Sequence, residues 1–493
     1  MKRFTIGLFI GSLLLALFPF LANAQPLDNC RIEASNWNAV SLGFPVRTER
    51  LAHIKNPKIL VLPYQLKGEP KFEITDWHKA KFAEVGKNIS QLSQDFSNVN
   101  FIFGQTVQLT ATAADLDEVK MNVQSTWQKD FDNSTFGFVE KVLLEADKFT
   151  DYKDIDAVIL FGFSDSVNQM IAEAMEFTKD LNYKNNAKKA NGGNWSDPIK
   201  TSEGEINNTI LLYNDFTAPT ITHEIMHLYG LTDLYGSKTS PPLSLMSDGT
   251  KIALLPYELW IIGWLPDSNV TCVNLKSEIS QNLKDNRFAL NYSKGHQSLV
   301  IPTGSATALI VDVVNYKQST YLLYYSLDNE ARPAIITFPP VKTLDGSLNL
   351  TGYAGVSAQL SSPEYTVLVS DNNGSSVVID IIPNSKISSE ESKQLINLAE
   401  LKKLDSAGLI KAKQEADIKA AAELKAKQEA EAKAIAEKAA AELKIKQEAD
   451  AKAAAAAKAA ALKKTTITCI KGKLTKKVTA VKPVCPAGYK KKA

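Results

Sequence analysis

The sequence predicts a mixed α+β body built on a strand-and-helix sheet, followed by a β-sandwich, a long Ala/Lys/Glu helix and a small, disulfide-closed basic tail. Three changes of pattern along the 493 residues support that order. Apolar strand runs alternate with amphipathic helices up to about residue 230, which argues for a sheet covered by helices rather than a bundle. Short β runs punctuated by Gly, Pro, Asn and Ser take over from about 290 to 383. From Ser388 to Lys464 the chain is dominated by Ala, Lys, Glu and Gln, a composition of high intrinsic helicity. With 44% hydrophobic residues there is ample material for a core, so wholesale disorder is excluded.

Residues 1–24 read as a secretory signal. Lys2 and Arg3 precede an apolar run from Phe4 to Leu21, and Ala22-Asn23-Ala24 supplies a small-residue cleavage site. Pro19 and that site argue against an uncleaved anchor, and no later stretch is apolar enough to span a bilayer. The mature chain is expected to begin near Gln25 and to be secreted, either extracellular or held at the cell surface. Export permits disulfides, and four Cys allow three pairings. Cys469 and Cys485 both lie in the tail and are expected to pair, as are Cys30 and Cys272, which bracket the body. A free Cys30 blocking a metal as a thiolate is the alternative use of that residue. The net charge is +2, yet Lys2, Arg3 and the eight Lys of 465–493 supply ten positive charges, so residues 25–464 are acidic at −8.

Element by element, 58–64 (KILVLPY) reads as a short apolar strand, 75–95 as an amphipathic helix and 100–112 as β-rich. A second helix at 136–148 and a buried strand at 156–163 (DAVILFGF) follow. Residues 180–207, rich in Asn, Lys, Gly and Ser, read as an exposed loop. The strand 209–215 (TILLYND) then leads through a short turn into a helix at 219–229, placing it as the edge strand of a site on that helix. The α+β domain is assigned to 25–285 and the β-sandwich to 286–384. Ser388 with Glu391 makes a capping box for a helical stalk over 388–464. There K-x-K-Q-E-A recurs at 411, 425 and 444, but the large apolar residues keep no heptad. A solvated single helix on the order of 100 Å long is expected.

The chemistry concentrates in residues 223–233, H-E-I-M-H-L-Y-G-L-T-D. His223 and His227 lie one helical turn apart, so both imidazoles face one side and can bind one Zn2+. Glu224 sits beside the first ligand, where its carboxylate can take a proton from water. Gly230 can end the helix in a left-handed turn that brings the chain back, and Asp233 then supplies an oxygen ligand. Two His and one carboxylate leave a position open for water, as a catalytic zinc requires. Chance would place HExxH in roughly one such chain in several hundred, before the Gly and Asp are counted. Met246, thirteen residues after Asp233 in a turn-rich stretch, is a candidate packing floor under the imidazoles. Residues 254–264 read as a helix beneath the site, with Tyr257, Trp260 and Trp264 as core residues.

His223, Glu224, His227, Gly230 and Asp233, then Leu245-Met246-Ser247-Asp248-Gly249, then Pro256 with Ile262-Gly263-Trp264-Leu265, resemble the immune-inhibitor-A-type secreted metallopeptidases, a metzincin-like group. Snapalysin-type enzymes share the Asp in place of a third His. The resemblance covers about 58–272 and, more loosely, the β domain to 383. It implies a zincin fold, a catalytic Zn2+ and endopeptidase activity on protein or peptide substrates outside the cell. His223, His227 and Asp233 would be the ligands and Glu224 the general base. Two features depart from that pattern: only 33 residues lie between Gln25 and the first strand, short for a propeptide, and the Ala/Lys helix has no counterpart.

His53, His78 and His296 lie outside any ligand spacing and read as surface or capping residues. Asp371-Asn372-Asn373-Gly374 has the composition of a structural Ca2+ loop, although a hairpin turn explains it with fewer assumptions. The tail, 465–493, reads as a Lys-loaded hairpin. Lys lacks the fork geometry for specific recognition, which leaves two readings of the tail: non-specific attraction to an anionic cell-wall polymer or membrane head groups, or a plain solubilising terminus. Its single Tyr489 gives little for base stacking, so no specific nucleic acid is expected. The chain is read as a monomer. Two competing functions are a non-catalytic zinc-containing surface adhesin, against which the intact Glu224 argues, and a zinc hydrolase of peptidoglycan cross-links.

Overall fold

A computed structural model describes residues 27–35, 39–116, 135–163, 171–179, 197–214, 216–234, 244–247, 252–273, 283–316, 319–329, 335–337, 341–342, 348–349, 358–373, 375–402 and 463–492. The signal segment and stalk residues 403–462 lie outside these. The chain divides into two compact units, Met1–Ser406 and Ala407–Ala493.

The first part of unit one supplies eight strands: β1 (Lys58–Gln65), β2 (Asn100–Phe103), β3 (Val107–Gln108), β4 (Ala157–Gly162), β5 (Ile171–Glu176), β6 (Ile199–Lys200), β7 (Glu205–Ile206) and β8 (Asn208–Tyr213). The main sheet runs β2-β1-β4-β8-β5, with β3 also pairing β1. β1, β2, β4 and β8 are parallel and β5 runs antiparallel to β8. β4 and β8 are buried at every position, as parallel strands covered on both faces must be. Alternate residues divide between two cores. Ile59, Val61, Ile159, Phe161, Ile210 and Leu212 pack with helices α1 (Asp76–Ser93) and α3 (Ala218–Tyr229). Leu60, Leu62, Val158, Leu160, Leu211 and Tyr213 pack with α2 (Thr135–Ala146).

Two expectations need correction. The strand before the site helix is interior, flanked by β4 and β8's other neighbour β5, so it cannot serve as the edge. Among the described residues the edge on this side is β5, whose sequence IAEAME carries no strand-like alternation of apolar and polar residues. Within 180–207, residues 199–206 form the β6–β7 hairpin, which buries Ile199 and Ile206. The apolar residue at each strand outweighs the polar composition around it.

The following β region has β9 (Val270–Cys272), β10 (Arg287–Asn291), β11 (Gln297–Pro302), β12 (Thr307–Tyr316), β13 (Ser319–Asp328), β14 (Ile335–Thr337), the small pair β15 (Val341–Lys342) and β16 (Leu348–Asn349), then β17 (Gln359–Ser361), β18 (Tyr365–Asn372) and β19 (Ser376–Pro383). They form sheets ordered β14-β13-β12-β11-β9 and β10-β19-β18-β17. Leu309, Val311 and Val313 face a core shared with Val367, Val369 and Ile379 of the second sheet. The alternate residues Ala308, Ile310 and Val314 join the α1/α3 core instead. A sheet buried on both faces welds the β layers to the α+β part, and the core crosses residue 285 without a break.

The N-terminal segment is part of that core. Leu42, Leu51 and Arg50 are fully buried, and Cys30 is bonded to Cys272 at the start of the β layers. That bond removes the thiolate reading of Cys30. Strands β18 and β19 pair as a hairpin on either side of residue 374, which lies outside the described residues; Asn373 Oδ1 accepts the Ser375 and Ser376 amides (3.0 and 2.8 Å) and Lys402 pairs with Asp371. The helix that follows covers 390–402 among the described residues. Its cap is Ser389, whose Oγ accepts the Ser392 amide at 3.2 Å, rather than Ser388 with Glu391. Burial of Ser392, whose hydroxyl bonds Lys386 O, sets that register.

In unit two, β20 (Thr465–Lys471), β21 (Leu474–Ala480) and β22 (Lys490–Lys491) form a three-stranded sheet closed by Cys469–Cys485.

Candidate metal centre

The site is built on α3. Thr217 caps it by accepting the Thr220 amide at 3.3 Å, and Pro219 occupies its first turn, where a missing N–H costs nothing. Every residue from Ile221 to Tyr229 is buried, so the two imidazoles project inside the protein. Gly230 ends the helix at φ 110°, and a Cβ there would meet Val46 Cγ1 at 2.8 Å. The turn it permits returns Asp233 to the face carrying His223 and His227.

Asp233 Oδ1 lies 3.1 Å from His223 Nε2 and 3.3 Å from His227 Nε2. Four ligand atoms about a zinc ion at ~2.0–2.1 Å sit roughly 3.3 Å apart along each tetrahedral edge, which is the spacing of Asp233 Oδ1 from each imidazole, and all three atoms lie within 4.8 Å of one another. The protonation pattern agrees. His223 Nδ1 donates to Leu245 O (2.9 Å) and His227 Nδ1 to Leu231 O (2.8 Å). A carbonyl only accepts, so both Nδ1 atoms carry hydrogen and both Nε2 lone pairs point at the shared centre.

Electrostatics favour a positive charge there. Burial works against a charged His227, but the hydrogen-bonded Asp233 carboxylate outweighs it and pushes the imidazole up to about 10. Burial likewise opposes ionisation of Asp233, and the two imidazoles overcome it, holding the carboxyl below its usual range. A proton or a divalent cation meets the same demand. Glu224 is raised above its ordinary range by burial, opposed by His227 and His223. Its Oε2 accepts the Ala174 amide of β5 at 3.0 Å, which fixes the carboxylate between the ligand helix and the sheet edge.

Met246 lies in a buried turn, Leu245–Ser247. Besides Leu245 O on His223, this turn offers Met246 O to the Leu234 amide at 2.9 Å, next to Asp233. The expected helix over 254–264 shortens to α4 (Pro256–Ile261), because Gly263 turns at φ 76°. Tyr257, Trp260 and Trp264 are buried, with Trp260 edge-on to Phe44 and Trp264 edge-on to Tyr229. Of the remaining imidazoles, His78 Nδ1 accepts the Thr75 amide at the start of α1, and His53 Nε2 bonds the Val46 and Arg47 carbonyls. His296 is neither exposed nor a helix cap: half-buried, it accepts the Asn315 amide.

Sequence reading missed three residues near the centre: Ala174, Ser244 and Glu258. A backbone amide leaves no trace in sequence, but a lone carboxyl in the apolar run LLPYELWIIGW was a visible signal of a buried acid. Among the described residues, His223, His227 and Asp233 are the one His/Cys/Asp/Glu group able to hold a metal ion. The chain matches no protein-family model and no curated protein.

Proposed function

We propose that the chain is a secreted zinc-dependent endopeptidase of the immune-inhibitor-A-like, metzincin type. The observation that carries this reading is the gathering of ligand atoms of His223, His227 and Asp233 within 4.8 Å of one another, with Asp233 Oδ1 3.1 and 3.3 Å from the two Nε2 atoms, beside a buried Glu224. When bound, zinc lowers the pKa of water in its open position towards ~7 and polarises a carbonyl. Glu224 holds one oxygen on the Ala174 amide, leaving Oε1 to take the proton of the attacking water and return it to the leaving amine. β5 pairs only with β8 among the described residues, and its Ala174 N–H faces outward to Glu224. An extended peptide adding to this edge would lie along the site.

The experiment is casein and gelatin hydrolysis by the mature chain, with chelator, with restored Zn2+, and with Glu224→Ala. Activity lost on chelation, regained with zinc and absent in the variant supports the peptidase. A folded, zinc-loaded wild type that cleaves neither these nor wall peptides leaves the adhesin; cleavage of wall peptides alone leaves the cross-link hydrolase.

For unit two we propose attachment to an anionic, chain-like wall polymer. Strand register puts Lys471, Lys476 and Lys491 on one face and Lys477 and Lys490 on the other. A flat bilayer meets one face at a time, whereas a flexible polyanion can reach both. Retention on cell walls stripped of phosphodiester polymer would refute this.

A further inference from the structure

The turn that serves two of the three metal ligands is itself held by a buried carboxyl, Glu258 of α4. Ser244, the residue before the turn, places its hydroxyl 2.9 and 3.1 Å from the two Glu258 oxygens. The same hydroxyl accepts the Met246 amide at 3.1 Å. Glu258 Oε2 also accepts the Leu255 amide at 2.7 Å, so both its oxygens are committed to backbone or hydroxyl groups that define the turn and the start of α4. From there the connections run in two directions: Leu245 O to His223 Nδ1, and Met246 O to the Leu234 amide beside Asp233.

We propose that Glu258 is a positioning residue for the metal site, acting through Ser244 on the Leu245–Ser247 turn to set the tautomer and orientation of His223 and the place of Asp233. The inference rests on the metal-site reading. Glu258 is completely buried, and its hydrogen bonds go to the Ser244 hydroxyl and the Leu255 amide rather than to a ligand, so it acts through the turn. Burial pushes it up to about 8, so at neutral pH the carboxyl is mostly uncharged and needs no buried countercharge. An apolar residue of similar size would fill the space but leave the Ser244 hydroxyl and the Leu255 amide unpaired.

The test measures Zn2+ affinity of the full mature chain by competition with a chromophoric chelator, alongside thermal unfolding. Ser244→Ala and Glu258→Ala should each weaken zinc binding about 10- to 100-fold, the usual cost of losing a group that orients a ligand. Glu258→Gln keeps an acceptor and should recover most of that loss. Val311→Ala, in the core between the two β sheets and away from the site, should lower the melting temperature and leave affinity unchanged. If Glu258→Ala does not fold, Ser244→Ala still decides. Wild type that binds zinc together with a folded Ser244→Ala of equal affinity overturns the positioning role alone. Wild type that binds no zinc overturns the metal site and this inference with it.

Discussion

Asp312 offers the cleanest measure of what the buried polar layer beneath the site contributes. It lies on β12, wholly buried, where burial pushes it up to about 7 against the opposing hydrogen bonds of Tyr325 and the Tyr257 amide. The Tyr325 hydroxyl donates to its Oδ2 at 2.5 Å. A carboxyl whose folded pKa is raised binds its proton more tightly folded than unfolded. Its stabilisation is complete below the unfolded value, near 4, and is lost as pH rises towards 7. Each pH unit in that window corresponds to about 1.4 kcal/mol. From pH 5.5 to 7 the loss is therefore about 2 kcal/mol. Asp312→Asn keeps an oxygen for Tyr325 but does not titrate. Urea unfolding followed by the fluorescence of the buried Trp260 and Trp264, with zinc in excess, should show wild-type stability falling by about 2 kcal/mol more than the variant over that interval. Parallel curves would mean that Asp312 is ionised in the folded protein and that the buried layer is charged.

Three further outcomes follow from particular contacts. Ala174→Pro removes the amide held by Glu224 at a strand edge that tolerates proline, so peptide hydrolysis should fall roughly tenfold or more with zinc affinity unchanged. Chelator competition and casein hydrolysis read the two effects separately. Paired Cys30→Ser and Cys272→Ser substitutions should cost about 2–5 kcal/mol in urea unfolding, since the bond closes a loop of 242 residues. A chain beginning at Lys55 loses buried Leu42 and Leu51, and Arg50, whose guanidinium donates to Asn208 Oδ1 and Phe177 O at 2.7 Å. It should fail to unfold cooperatively by circular dichroism, and a soluble, zinc-binding truncation would show that 27–54 is dispensable.

What could be read in the sequence was whatever one residue type at one spacing determines. His223 and His227 fall on one helical face because four residues make about one turn, and Gly230 marks the end because few other residues adopt φ 110° beside Val46. The strands at 58–65 and 157–162 were legible because strands covered on both faces are continuously apolar. The edge strand β5 was not, since its IAEAME sequence has helical propensity and becomes a strand only by pairing with β8. Segment 27–54 was equally opaque. Its burial comes from contacts with residues more than a hundred positions away, such as Arg50 with Asn208.

Those long-range contacts change what the β layers do. Their inner sheet sends Ala308, Ile310 and Val314 into the same core as the site helix, and Asp312 from the same face to the Tyr257 amide at 3.5 Å. Tyr257 adjoins Glu258, which holds Ser244 and, through it, the turn bonded to His223. The β sheet is thus connected to His223 through a short series of buried hydrogen bonds and one helical turn. A domain tethered merely by a linker could be removed without moving the site. Here the inner sheet packs against α4 and shares one continuous core with the site helix, so deleting it uncovers α4 as surely as it removes Ile310. The inner β sheet is therefore structural support for the candidate metal site, whatever else the outer sheet contacts.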